Sequence, residues 1–61
     1  MSEIEKQIVL LNEQLAKVES RKFLNSMVDR WSDDNFAIDR ECFEEIEKIK
    51  SEIERLEKEI M

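Results

Sequence analysis

The chain contains no glycine, no proline, no histidine and no tyrosine, and it has a single cysteine among 61 residues. Each absence excludes something. Without histidine, the commonest general base and the usual zinc ligand are missing, and no serine has an imidazole to activate it. Without glycine, neither the Walker loop nor the dinucleotide-binding loop can form, because both bring bare backbone against phosphate. With Cys42 alone there is no intramolecular disulfide, and one thiol without histidine does not make a structural zinc site. No apolar run is long enough to span a bilayer, and no signal-peptide pattern is present. The expectation is a non-enzymatic protein with no cofactor, no metal and no small-molecule substrate. It is expected in the cytoplasm, or in that of the host cell if a phage encodes it.

What remains is dominated by Glu, Lys, Ile and Leu, the profile of long helices and coiled coils. Net charge is −6 and is unevenly placed. Residues 1–31 carry five acidic and five basic groups, whereas residues 32–61 carry eleven acidic and five basic. A surface of that sign repels phosphate backbones and anionic lipid, so neither direct nucleic-acid binding nor membrane association is expected. A protein with a basic surface is the easier partner. Acidic pairs such as Asp33/Asp34 and Glu44/Glu45 read as caps and solvated faces rather than cation ligands, since neighbouring helix residues diverge by about 100°.

The segment Ser2-Glu3-Ile4-Glu5 fits a capping box and opens a helix at once. Ile4, Ile8, Leu11, Leu15 and Val18 then follow at alternating steps of four and three, which draws one narrow stripe. Cys42, Ile46, Ile49, Ile53, Leu56 and Ile60 repeat the device. Between the stripes lies the polar run Arg30-Trp31-Ser32-Asp33-Asp34-Asn35-Phe36. There Ser32 can cap a second helix, the two aspartates suit its dipole, and Trp31 and Phe36 form a hydrophobic staple. Asp39, stapled by Ile38 and Phe43, is a rival start.

The expected fold is therefore all-α: one domain over residues 1–61, an antiparallel two-helix hairpin of coiled-coil type. Helix 1 is expected over about 2–30, the turn over about 31–35 and helix 2 over about 36–60. An antiparallel seam pairs residues whose numbers have a constant total. A total of 64 places Ile4 with Ile60, Ile8 with Leu56, Leu11 with Ile53, Leu15 with Ile49 and Val18 with Ile46, and centres the turn on Ser32. The alternative is one continuous helix of about 59 residues, about 90 Å long, in a coiled-coil dimer. Against it, Val18 and Cys42 are three residues out of phase with an unbroken heptad.

Ten fully apolar seam residues make a thin core for a chain of this size. Apolar residues are also left over: Val9 and Leu10 beside the first stripe, then Phe23, Leu24, Met27, Val28, Trp31, Phe36, Ile38 and Phe43 around the turn. A large exposed apolar patch marks an interface. The expected partners are thus a second copy, giving a four-helix bundle, and another protein docked on Phe23, Leu24, Met27, Val28, Trp31, Phe36 and Phe43. Lys22 and Asn25 interrupt the stripe as polar layers, with Lys22 expected to reach Glu41 or Glu45. Cys42 is expected to be a buried, inert thiol.

In size and layout the chain resembles the small plasmid copy-control proteins that bind RNA hairpins as dimers of helical hairpins. That likeness is of architecture and carries no activity with it. Two functions are expected from the residues themselves. The first is a protein-interaction module serving as adaptor, regulator or assembly component, of the kind a bacterium or its phage encodes. The second is an acidic decoy that inhibits a nucleic-acid-binding protein by occupying its basic groove. A piece of a larger coiled-coil protein is a third reading.

Overall fold

The computed structural model describes residues 2–60, which form α1 (Glu3–Ser26) and α2 (Asp33–Glu59). The two helices pack antiparallel in a slim body of 45 × 16 × 12 Å. Residues 27–32 break the chain between them, so the single continuous helix is not what forms.

α1 begins where local chemistry dictates. The Glu5 amide donates to Ser2 Oγ at 3.2 Å, and the Ser2 amide and hydroxyl donate to Glu5 Oε1 at 3.5 and 3.1 Å. This reciprocal bonding satisfies amides that have no partner inside the helix. α2 begins at the second cap. The Ser32 amide and hydroxyl both donate to Asn35 Oδ1 at 3.0 Å, and Asp33 and Asp34 occupy the first turn. Trp31 and Phe36 meet edge-to-face with ring centroids 4.9 Å apart, which sets the entry angle of the chain. Asp39 lies well inside α2 and starts nothing.

The boundaries differ from expectation at the loop. α1 stops at Ser26 rather than near residue 30, and α2 starts at Asp33 rather than 36. Its turn therefore covers 27–32 and is centred between Asp29 and Arg30, not on Ser32. Two local interactions end α1 early. Ser26 Oγ donates back to the Phe23 carbonyl at 2.6 Å, and the Met27 and Val28 amides tighten onto the carbonyls of Leu24 and Asn25 at 3.2 and 3.3 Å. At the other end Ser32 and Trp31 are committed to cap and staple, so neither can serve as the apex. No described residue has a positive φ, consistent with a six-residue loop built without glycine.

The core is lopsided. Its buried apolar side chains are Cys42, Ile46, Ile53 and Leu56, all from α2. Ile4, Ile8, Leu11, Leu15 and Val18 of α1 and Ile49 of α2 are half-buried, and Ile60 at the open end of the hairpin is exposed. The buried residue that α1 supplies is polar, Asn25.

Candidate interaction surface

Near the loop, polar side chains join the helices. Asn25 Nδ2 donates to the Asn35 carbonyl at 2.9 Å, and Asn35 Nδ2 donates to Asn25 Oδ1 at 2.8 Å. With Ser32 donating to Asn35 Oδ1, the two asparagines and the serine form a clasp across the mouth of the loop. One turn further along, Lys22 Nζ lies 2.7 Å from Asp39 Oδ1, both side chains being about one-third exposed. Lys22 thus pairs with Asp39 and not with Glu41 or Glu45. A signal for both contacts lies in the sequence: running the alternating steps of the second stripe backwards from Cys42 gives Asp39 and then Asn35. These are the seam positions that meet Lys22 and Asn25.

These polar contacts hold the end of the hairpin around which the exposed apolar side chains gather. Phe23, Leu24 and Met27 are each close to two-thirds exposed, Val28 is 43% exposed, and Phe36 and Phe43 project from α2 at 61% and 55%. Trp31 is half-buried against Phe36. At the far end of α1, Val9 and Leu10 are also exposed. Phe23 and Leu24 line a shallow hollow with Glu19 and Ser20. The outward side of α2 is different in kind: its hollow is lined by Glu41, Glu44, Glu45, Glu47, Lys48, Ser51, Glu52 and Arg55. There Arg55 bonds both Glu52 and Glu59, and Lys58 lies 3.7 Å from Glu54. The side-chain bond from Arg55 holds the Glu52 carboxyl below its ordinary pKa, outweighing the opposing effect of desolvation. Glu52 in turn raises Arg55.

Among the described residues no three acidic or thiol side chains converge on a point where a cation could sit, and no buried side-chain polar atom lacks a partner. Cys42 is a free thiol, 1% exposed. No described helix is long and apolar enough to cross a membrane. Among the described residues the loop end of the hairpin is thus marked by exposed apolar side chains and the outward side of α2 by charged ones. Against known protein families, curated proteins and solved structures, the chain gives no match.

Proposed function

We propose that this protein is a non-enzymatic protein-interaction module, an adaptor, regulator or assembly component built as a self-associating helical hairpin. The observation that carries the reading is the exposure of Phe23, Leu24, Met27, Val28, Phe36 and Phe43 around one end of a hairpin whose polar clasp holds that end in place. A monomer gains nothing from leaving such a patch wet, and patches of this kind are where partners dock. Trp31 is the anchor of the docking end. It is fixed against Phe36, and tryptophan is over-represented among residues that dominate binding energy. The partners are a second copy and another protein, with neither direct nucleic-acid binding nor membrane association. The site of action is the cytoplasm.

Affinity capture with the purified chain as bait tests the docking reading. Capture of one specific protein, lost on Trp31→Ala while helicity stays unchanged by circular dichroism, is the expected result. Undiminished capture by the variant would overturn it.

A second reading is favoured by the charge of residues 32–61, where eleven acidic groups oppose five basic ones, and by the glutamates gathered on the outward side of α2. Here α2 acts as a decoy for nucleic acid in the basic groove of a polymerase, nuclease or repressor. Such a complex must weaken steeply between low and moderate salt, and a salt-insensitive complex excludes it.

A further inference from the structure

We infer that the outward side of α1 is the self-association surface, and that its occupant is α1 of a second copy, running antiparallel and crossing near Ala16 and Lys17. This inference rests on the self-association proposed above and assigns it a place.

The first argument is area. A folded globular monomer of this mass exposes about 4,200 Å². This chain exposes 5024 Å², a surplus of about 800 Å². Two such surpluses make about 1,600 Å², the size of a standard specific interface with about 800 Å² from each partner. The two helices make a single layer, whereas stable folds close a core between layers.

The second argument is symmetry. On the side of α1 away from the seam, Val9 and Leu10 recur seven residues on as Ala16 and Lys17, and seven further as Phe23 and Leu24. All six are exposed. A two-fold interface requires that residue i meet residue j and j meet i, so the pattern on one chain must be symmetric about its own midpoint. This one is symmetric about the point between Ala16 and Lys17. Antiparallel pairing there sets Val9 on Leu24 of the second copy and Leu10 on Phe23, and the reciprocal contacts follow. The small side chain of Ala16 at the centre lets the helices approach closely.

The third argument is charge. In this register the two Lys17 side chains lie beside each other at the two-fold axis, and each is one turn from Glu13 of the other copy, which supplies the opposite charge twice. The charged outward side of α2 stays in water at the two flanks. The result is a four-helix assembly with both α1 helices in the middle, each then buried on two sides. That supplies the cover that Val9, Leu10, Phe23 and Leu24 of α1 lack within one chain. It also divides the exposed apolar residues: Phe23 and Leu24 belong to the dimer, while Trp31, Phe36 and Phe43 remain for the other protein.

Light scattering on the full chain, together with disulfide mapping, tests the inference. The expected particle has twice the 7.4 kDa chain mass. Leu24→Glu, at a position 65% exposed in the single chain, should weaken the dimer about 100-fold or more because it acts twice across a two-fold axis. Ala16→Arg should do the same from the centre, and both variants should keep the helical circular dichroism of the parent. In a Cys42→Ala background, Ala16→Cys should oxidise to a disulfide-linked dimer. Val9→Cys should link to Leu24→Cys but not to itself. A chain that stays monomeric at millimolar concentration, a dimer indifferent to Leu24→Glu and Ala16→Arg, or self-linking of Val9→Cys, which signals parallel helices, would each overturn the inference. None of these results bears on docking through Trp31, which is read separately by affinity capture.

Discussion

The two helices differ most on the sides that face away from each other. α2 is orthodox: Cys42, Ile46, Ile53 and Leu56 are buried on the inward side, and the outward side is charged and laced by Arg55, Glu52, Glu59, Lys58 and Glu54. α1 half-covers its seam and leaves Val9, Leu10, Phe23 and Leu24 in water on its other side, among Lys6, Glu13, Lys17 and Ser20. A helix with one apolar stripe needs one neighbour; a helix with two needs a second. Within one chain, α2 buries most of its stripe and leaves Phe36 and Phe43 exposed near the loop, whereas α1 buries none of its apolar side chains and leaves Val9, Leu10, Phe23 and Leu24 exposed along its length.

The largest effects should fall on α2. Leu56 is 4% exposed, and Leu56→Ala should lower unfolding stability by about 2–5 kcal/mol, read by urea denaturation. Leu10 is 57% exposed, and in the Leu24→Glu background, where the second copy is removed, Leu10→Ala should change stability by no more than about 0.5 kcal/mol. In the parent background the same Leu10→Ala should instead weaken association. Equal costs for Leu56→Ala and Leu10→Ala in the monomer would erase the distinction between the helices.

The next effect belongs to the clasp, where the helices meet on equal terms. Asn25→Ala removes the bond to the Asn35 carbonyl and leaves the half-buried Asn35 side-chain amide without its partner, which should cost about 1–3 kcal/mol by thermal or urea unfolding. A smaller effect is expected of Lys22→Met, which leaves Asp39 without its cation. Both side chains are about one-third exposed, so the loss should be about 1 kcal/mol or less and should shrink with added salt. A loss from Lys22→Met that is unchanged in high salt would mean that packing of the lysine stem, not charge, joins the helices there.

Much of this hairpin was legible in the residues because heptad spacing and capping are local. Ser2 with Glu5, Ser32 before two aspartates, and Trp31 with Phe36 each depend on groups within a few positions of one another, and each forms as the spacing implies. The loop was harder to place because its limits are set from outside it. α1 ends where Ser26 bonds back to Phe23 and where Asn25 turns to Asn35 ten positions away. Asn35 looked like a turn residue by type, but its side chain is needed both at the Ser32 cap and across the helices, so it belongs to α2. The partner of Lys22 is hidden for a related reason: Asp39 is polar, so the apolar stripe starts at Cys42 and gives no sign that the seam continues to Asp39. The exposed apolar residues were identifiable by their surplus, since one narrow stripe cannot hold them all. In the proposed dimer their cover comes from a second copy, which no local spacing can name.

The smallest expected effect tests the charged side of α2 alone. Arg55 depresses the pKa of Glu52, so the folded state prefers the ionised carboxyl more than the unfolded state does. The contribution of Glu52 is therefore present above the ordinary carboxylate pKa and is lost as pH falls through the depressed value. Glu52→Gln removes it at every pH. Parent and variant should differ slightly at neutral pH and converge at strongly acid pH, when melting temperatures are compared across that range. The difference should be small because the pair lies at the surface, with the Arg55 and Glu52 side chains 59% and 43% exposed, and the interaction is screened. A parent and a Glu52→Gln variant whose difference is the same at every pH would mean that the outward side of α2 is merely solvated, with no ion pair contributing to its stability.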